Sequence, residues 1–384
     1  MAAPPFLASR PEGPGFGVYV HVPFCARRCD YCAFATWDDR LQLVPDYCAA
    51  VRAEIARAVG EEMPLATSVF FGGGTPSLLP PDQLVAILDA IPRGEGSEVT
   101  VECNPEHAEP SRLGAWRRAG VTRVSLGVQS LSTSVLDSLG RRHDPGSVRW
   151  AARALGDAGL GGSYSVDLIF GAVGERPADW QATVAGVLAL DPPPAHVSAY
   201  GLIAEPGTPL GSDPARHPDA DDQADKYLAV DAALASAGYS WYEISNWSRP
   251  GATCRHNQLY WAQGEYRGFG CAAHSHRLAG GGGARRWWNV RTPERYIRLV
   301  GRGDDPAGGE ELLGPDVRAV EALELGLRTS EGVAVAEVPS AGQLGLLLDL
   351  GLVSLSRGEG AGERVRLTLR GRLLATEVTL RLLG

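Results

Sequence analysis

Short apolar segments with strand character alternate with helical segments between residues 17 and 205. The predicted strands cover residues 18–22, 68–71, 98–102, 121–128, 163–170 and 196–202. Strands that alternate with helices form parallel sheets, in which the crossover connections are right-handed. Six such units predict an α/β fold built on a (β/α)6 barrel that is three-quarters complete or open.

Three cysteines follow the first predicted strand in a C-x3-C-x2-C run, as Cys25, Cys29 and Cys32. A loop at a strand end can wrap around one iron–sulfur cluster, and cysteine thiolates are the usual ligands of such clusters. A cubane has four irons, so three thiolates leave one iron open to a further molecule. The run therefore predicts an iron–sulfur site with chemistry of its own. The alternative is a zinc knuckle in which the nearby His21 supplies the fourth ligand.

Length and charge limit the class of protein. A chain of 384 residues has room for a large domain and a smaller one, and its net charge of −9 argues against a nucleic-acid partner. An odd number of cysteines, seven, favours a reducing compartment over a disulfide scaffold. No signal-like or membrane-spanning apolar run is present. We expect a cytoplasmic protein; contact with a membrane surface and a homodimer both stay open.

The second half of the chain has a different pattern. We predict a flexible N-terminus at 1–16, a barrel at 17–240, a connecting segment at 241–304 and a C-terminal domain at 305–384. In this last domain, helices at 315–327, 341–350 and 371–383 surround strands at 353–355 and 364–369, which predicts a small α+β, winged-helix-like unit. Its basic residues are offset by acidic ones, so a docking or structural role is favoured over DNA binding.

Polar residues stand at the ends of several predicted strands. A glycine run at 72–76 lets a ligand approach the backbone closely, and no Lys-Ser or Lys-Thr follows it to make a phosphate-binding loop. Glu102, Gln129, Arg141 and Asp167 lie at or just beyond other strand ends. Each alone is more typical of a surface or capping position. Together, at the carboxyl ends of barrel strands, they predict a polar ring for a ribose and an amino-acid head group.

Several of these segments resemble one known family. Residues 19–25, 72–77, 102–105, 125–130, 139–143 and 167–171 are similar to the radical S-adenosylmethionine (SAM) family of oxygen-independent coproporphyrinogen oxidases and their relatives. The resemblance extends from about residue 17 to the end of the chain. It implies a partial (β/α)6 barrel and a [4Fe–4S] cluster on Cys25, Cys29 and Cys32. It also implies SAM contacts from Tyr19, Tyr31, Gly73, Gly74, Thr75, Glu102, Gln129, Arg141 and Asp167.

Two branches of this family differ at recognisable positions. The decarboxylases of coproporphyrinogen III carry a further cysteine two residues after the third cluster cysteine, where this chain has Phe34. The heme chaperone branch carries a His-Asn-x-x-Tyr-Trp motif, which here is residues 256–261. The resemblance implies a chaperone that binds heme, with His256 as axial ligand, and delivers it to hemoproteins. Decarboxylation is the alternative function, Cys254 is an alternative ligand, and a buried, hydrogen-bonded His256 is the structural alternative.

Overall fold

Six parallel strands form the centre of a large sheet in the computed structural model, which describes residues 15–141, 143–358 and 361–384. They are β1 (Phe16–Val22), β2 (Ala66–Gly73), β3 (Arg93–Cys103), β4 (Arg123–Gln129), β5 (Ser165–Phe170) and β6 (His196–Gly201). Their order along the chain is also their order in the sheet, and each pairs in parallel with the next. The predicted α/β class is confirmed.

Helices follow each of these strands and share one hydrophobic core with them. They are α1 (Val44–Gly60), α2 (Pro81–Ala90), α3 (Pro110–Arg118), α4 (Thr133–Ser138), α5 (Pro145–Asp157), α6 (Pro177–Leu188) and α7 (Ala220–Ser236). Four of them begin with proline, whose fixed φ suits the first helical position. Strand residues such as Val99 and Val124 are buried in the same core as Trp116 of α3 and Trp180 of α6. Since side chains alternate along a strand, the neighbouring positions face the other side of the sheet.

The segment after residue 240 adds strands to both edges of the sheet. Beside β6 lie β8 (Asn246–Ser248) and β7 (Ser240–Glu243), and beside β1 lie β9 (Glu265–Phe269), β10 (His274–Leu278), β11 (Ala284–Asn289) and β12 (Ala307–Leu313). Two further helices are α8 (Arg255–Trp261) and α9 (Pro293–Gly301). Residues 241–304, predicted as a connecting segment, thus supply most of the six strands that extend the sheet to twelve.

Strand β12 lies beyond the predicted domain boundary at residue 305, yet it pairs with β11 in the large sheet. Its sequence, Ala-Gly-Gly-Glu-Glu-Leu-Leu, has no alternation typical of a strand. Ion pairs to β11 join the two strands, between Arg285 and Glu310 (2.6 Å) and between Arg286 and Glu311 (3.0 Å). The glycine run at 280–283 connects β10 to β11, and Leu278 pairs with Ala284 across it.

A smaller C-terminal unit, residues 315–384, has a core of its own that includes Leu327, Leu347 and Val365. It comprises α10 (Pro315–Leu327), β13 (Val333–Ala334), α11 (Ala341–Asp349), β14 (Val353–Gly358), β15 (Ala361–Leu367), α12 (Leu369–Leu373) and α13 (Ala375–Leu383). The strand order is β13-β15-β14. The predicted last helix is split at Leu374, whose φ of −119° and ψ of 28° are not helical.

Arginines attach the C-terminal unit to the barrel. Arg372 pairs with Asp231 of α7 at 2.8 Å and lies over the ring of Trp241. Arg328 pairs with Glu243 at 2.7 Å. The docking role predicted for this unit is in keeping with these contacts and stays a prediction.

Two further predictions concern the N-terminus and the presence of a membrane-spanning segment. The predicted flexible N-terminus, at 1–16, lies outside the described residues except for its last two. In the described part of the chain, every helix is too short or too polar to cross a membrane.

Candidate functional site

A cavity of about 900 Å³ opens among the carboxyl ends of β2 to β6 and the loop that follows β1. Active sites of parallel barrels are assembled at this end. The predicted site residues that line it are Cys25, Cys29, Tyr31, Cys32, Gly73, Gly74, Thr75, Glu102, Gln129, Arg141 and Asp167. Two predicted residues, Tyr19 and His256, are not part of its lining.

The cysteines lie on the cluster loop, residues 23–40, whose backbone is tied at both ends. The amide of Cys25 donates to the carbonyl of Trp37 at 3.0 Å, and the amide of Trp37 donates to the carbonyl of Pro23 at 2.8 Å. Between these points the amide of Cys32 donates to the carbonyl of Cys29 at 3.2 Å, which closes a turn. Cys25 is buried, whereas Cys29 and Cys32 are partly exposed. The loop therefore holds three thiols around one side of the cavity.

The glycine run after β2 packs directly under this loop. The amide of Gly74 donates to the carbonyl of Val22 at 2.7 Å, and the amide of Thr75 donates to the carbonyl of Phe24 at 2.8 Å. A Cβ on residue 74 would lie 2.6 Å from the oxygen of Phe24 and 3.0 Å from Sγ of Cys25. Only glycine permits this approach, so Gly74 sets the distance between the cluster loop and β2.

Burial favours the protonated forms of two thiols of the cluster loop, Cys25 and Cys29. Burial raises the pKa of Cys25 to about 11, although the Thr75 hydroxyl partly offsets that effect. Burial also raises the pKa of Cys29. Because thiolates, not thiols, bind metals, iron binding must release these protons.

The donor set is suited to a cluster rather than to a single metal ion. Among the described residues, no three His, Cys, Asp or Glu side chains are placed to hold one ion. Thiolates that bind separate irons of a cubane lie farther apart than the ligands of one zinc. His21, the fourth ligand of the zinc alternative, is engaged elsewhere: its Nε2 donates to the carbonyl of Ala35 at 2.9 Å, and its Nδ1 accepts from Tyr19 at 3.1 Å. His21 is therefore not free to act as the fourth zinc ligand, and the cluster on the three cysteines stays a prediction.

Two carboxylates of the polar ring, which we define as Glu102, Gln129, Arg141 and Asp167, lie close enough to repel each other. Glu102 accepts from the amide of Gly73 at 3.2 Å, and Asp167 accepts from the Ser125 hydroxyl at 2.8 Å. Burial, with the charge of Asp167 as the second cause, raises the pKa of Glu102 to about 8. Burial also raises the pKa of Asp167. A cationic ligand would reduce the repulsion between the two carboxylates, because it favours their ionised forms.

The other two members of the ring are held in unusual ways. Arg141 donates to Asn104 Oδ1 and to the carbonyl of Gly127, both at 3.2 Å, while its buried Nε has no partner among the described residues. Gln129 has a φ of +61°, and the pairing of β4 with β5 shifts register just before it. Backbone strain of this kind clusters at ligand sites. An orphaned donor and a strained strand end fit a ring that binds a polar ligand.

Tyr19 and His256 pack around Phe70 on the inner face of the sheet, next to the cavity but outside its lining. The ring of Tyr19 stacks on Phe70 with centroids 6.4 Å apart, and His256 stacks on the same ring at 5.4 Å. His256 is 1% exposed; its Nδ1 bonds with the Ser68 hydroxyl at 3.0 Å and its Nε2 with the Tyr260 hydroxyl at 2.9 Å. Both ring nitrogens are therefore engaged. This arrangement corresponds to the structural alternative, a buried and hydrogen-bonded His256. To bind heme iron, the imidazole would have to break one of these two hydrogen bonds.

Two neighbours of His256 do face the cavity. Cys254, the alternative axial ligand, and Asn257 both line it, at the end opposite the cluster loop. Burial raises the pKa of Cys254 to about 12, and its Sγ lies 3.7 Å from Glu98. Sequence reasoning did not find Asn257, or the inward-facing Thr100, Arg123, Ser125 and His196. For the four strand residues the signal was present as polar residues at every second position of otherwise apolar strands, whereas Asn257 lies on a helix.

The chain matches known proteins over its whole length. Residues 19–185 match the Radical SAM superfamily. The chain is 40% identical to the heme chaperone HemW of Mycobacterium tuberculosis. The alignment is 395 positions long, gaps included, and covers 99% of this chain and 97% of that relative. The chain belongs to the HemW family of radical SAM proteins. It is also 36% identical to the heme chaperone HemW of Synechocystis, over 85% of this chain and 81% of the relative.

The fold also has a solved counterpart. Coproporphyrinogen III oxidase (HemN) from Escherichia coli, a radical SAM enzyme, superposes with a TM-score of 0.80 over 98% of this chain and 92% of that one, at 21% identity. At this identity the likeness shows the fold alone. Membership of the HemW family confirms the predicted family, with its iron–sulfur and SAM context, while the roles of individual residues stay predictions.

Proposed function

We propose that this protein is a heme chaperone that carries a [4Fe–4S] cluster and SAM in its barrel, binds heme and delivers it to hemoproteins. The observation that carries the proposal is the 40% identity to a HemW over 99% of the chain, which includes the barrel, the His256 segment and the C-terminal unit. The test is an anaerobic reconstitution titrated with heme and SAM, with the porphyrin products separated by chromatography.

Different residues of the cavity would bind the cluster and SAM. Cys25, Cys29 and Cys32 would hold the cluster, which when bound offers one open iron to the amino-acid head of SAM. Arg141 is placed to donate from its orphaned Nε, and Asp167 is placed to accept hydroxyl hydrogens from the ribose. Glu102 would balance the positive charge of SAM. Tyr31, Gly73, Gly74 and Thr75 would shape the space between cluster and ring, and Tyr19 would act only through its packing.

SAM affinity is expected to rise with pH through the titration of Glu102. Its pKa is about 8 in the free protein, so at lower pH the carboxyl must lose a proton before it can pair with the SAM cation. The dissociation constant should increase by up to about ten-fold for each pH unit below that value. Equilibrium dialysis of SAM with the reconstituted protein across this range measures the effect.

The matched control is Glu102→Gln, which keeps the shape of the side chain and cannot ionise. This variant should bind SAM weakly, and any pH dependence that it keeps belongs to other groups, such as Asp167 or the amino group of SAM. Identical pH profiles for the wild-type protein and Glu102→Gln would show that Glu102 does not face the SAM charge.

His256→Ala is expected to lower the unfolding temperature, because it leaves the hydroxyls of Ser68 and Tyr260 without their partner. Each buried unsatisfied group costs about 1–3 kcal/mol. If His256 also ligates heme, the Soret band of the heme-loaded variant will change, while the iron–sulfur spectrum stays as it is. Calorimetry and heme titration measure the two effects separately, and His217→Ala, at an exposed position, is the control. An unchanged Soret band would rule out His256 as the axial ligand.

Decarboxylation of coproporphyrinogen III is the second candidate function. It is favoured by the shared fold of HemN and by a cavity that can hold a ligand beside the cluster loop. Phe34 is against it, since it occupies the position of the extra cysteine and is 65% exposed at the cavity rim.

The remaining expectations stay predictions. They are the cytoplasmic location, the lack of a nucleic-acid partner, the homodimer and the contact with a membrane surface.

A further inference from the structure

A second set of polar side chains lies deeper in the barrel than the polar ring. We define this lower layer as Thr100 of β3, Arg123 of β4 and His196 of β6, all of which line the cavity. They are 1%, 5% and 1% exposed, respectively. Arg123 and His196 are the first residues of their strands, whereas the ring lies at the strand ends. None of the cofactor assignments above uses this layer.

Strand register places these residues side by side. Thr100 pairs with Arg123 between β3 and β4, and Ser165 pairs with His196 between β5 and β6. Ser125 of β4 pairs with Ser165 and bonds with its hydroxyl at 2.7 Å, which links the two pairs. Interiors of complete parallel barrels are filled at such positions by bulky branched residues. In this barrel, the small polar residues Thr100, Ser125 and Ser165 occupy such positions and leave space for a ligand.

Each member of the lower layer has a buried polar atom without a partner among the described residues. These atoms are Oγ1 of Thr100, Nη2 of Arg123 and Nδ1 of His196. Arg123 donates through Nη1 to the carbonyl of Ala252 at 3.0 Å and forms no ion pair with a described residue. A buried charge in a folded protein is normally paired. Burial raises the pKa of Asp167 and the charge of Arg123 partly offsets that rise, but the guanidinium has no counter-ion in direct contact among the described residues.

The hydrogen-bond chain behind His196 makes its free nitrogen a donor. The Tyr242 hydroxyl accepts from the amide of Cys254 at 3.3 Å and lies 2.6 Å from Nε2 of His196. Both contacts are satisfied when the hydroxyl hydrogen points to Nε2, which leaves the proton of the neutral imidazole on Nδ1. Burial keeps the ring neutral by lowering its pKa. A guanidinium, an imidazole N–H and a hydroxyl thus face one space.

We propose that the lower layer binds the carboxylate group of a small molecule other than SAM, with Arg123 as its counter-ion and Thr100 and His196 as further donors. A guanidinium matches the two oxygens of a carboxylate in geometry as well as charge. Two acidic groups lie nearby without contacting the guanidinium: Asp167 accepts from Ser125, and Glu98 accepts from the amide of His256 at 3.1 Å. The proposal does not depend on heme binding.

The test is thermal unfolding of the full-length protein, saturated with SAM, as sodium propionate replaces chloride at constant ionic strength. Propionate should raise the unfolding temperature saturably, and the neutral isostere propionamide should not. Arg123→Met should lose the response, and Thr100→Val should require about ten-fold more propionate because it lacks one hydrogen bond to the anion. Arg153→Met, which removes an exposed arginine, should respond like the wild-type protein.

Three results would overturn the proposal. The first is the absence of a saturable rise in the wild-type protein. The second is a response that survives in Arg123→Met and disappears in Arg141→Met, since that would place the anion in the polar ring. The third concerns the stability of Arg123→Met itself. Arg123→Met should remain folded, and without propionate it should unfold at a higher temperature than the wild-type protein, because it removes an unpaired buried charge. A lower unfolding temperature would count against an unpaired Arg123.

Discussion

Replacing Cys29 with serine is expected to abolish the broad visible absorption that the protein acquires on anaerobic reconstitution with iron and sulfide. A hydroxyl is a poor substitute for a thiolate on iron, and two remaining thiolates cannot hold a cubane that needs three protein ligands to leave one iron open. Cys29 is partly exposed and its side chain lies in the cavity rather than in the core, so the substitution should leave the fold intact. Iron content and absorption spectra measure the loss.

Cys48→Ser is the matched control for this experiment. Cys48 lies on α1, is fully buried in the core and is not part of the cavity lining. Its replacement by serine should lower the unfolding temperature and leave the cluster absorption unchanged. A Cys29→Ser protein that retains a full complement of iron and binds SAM normally would show that the ligand assignment is incorrect.

The fold of the first half follows from sequence alone because its periodicity is clear. Val99 and Val101 alternate with Thr100 and Glu102, and every strand from β3 to β6 repeats this pattern with one face apolar. Because parallel strands place their carboxyl ends together, the polar residues at those ends had to share one site. The cavity lining includes every member of the polar ring for this reason.

Side-chain direction outside regular strands was less accessible to sequence reasoning. The motif at 256–261 identifies a segment, but the helix α8 turns His256 toward Ser68 and Asn257 toward the cavity. Adjacent residues on a helix point about 100° apart, so a motif does not say which of them meets a ligand. The sequence did not predict strand β12, because its residues lack apolar alternation. Its side chains instead form ion pairs with β11.

The lower layer illustrates a signal that was present and not used. Strand-end residues were examined because chemistry is expected there, whereas Arg123 and His196 begin their strands. A charged residue at an inward position of a barrel strand is costly unless it is paired. The alternation of inward and outward positions along whole strands, and not only at their ends, identifies Arg123 and His196 as inward-facing polar residues.

The reconstituted protein is expected to bind heme, about one per chain, and to release no carbon dioxide from coproporphyrinogen III in the presence of SAM and a reductant. Decarboxylation needs the propionate held against the adenosyl carbon in a near-attack geometry, which dedicated side chains must supply. At the cavity rim this chain offers Phe34, an apolar and exposed side chain, where the decarboxylases place a cysteine. A carrier needs only an iron ligand and an apolar platform that can release the heme.

Cys29→Ser separates the two functions in this assay. As a carrier, the protein should bind heme with the same Soret band whether or not the cluster is present, since sites without shared residues behave additively. As a decarboxylase, it should release carbon dioxide over many turnovers and lose that activity completely with Cys29. Sustained release that depends on Cys29 would replace the chaperone proposal with the enzyme, whereas heme binding that survives the loss of the cluster would separate the heme site from the barrel chemistry.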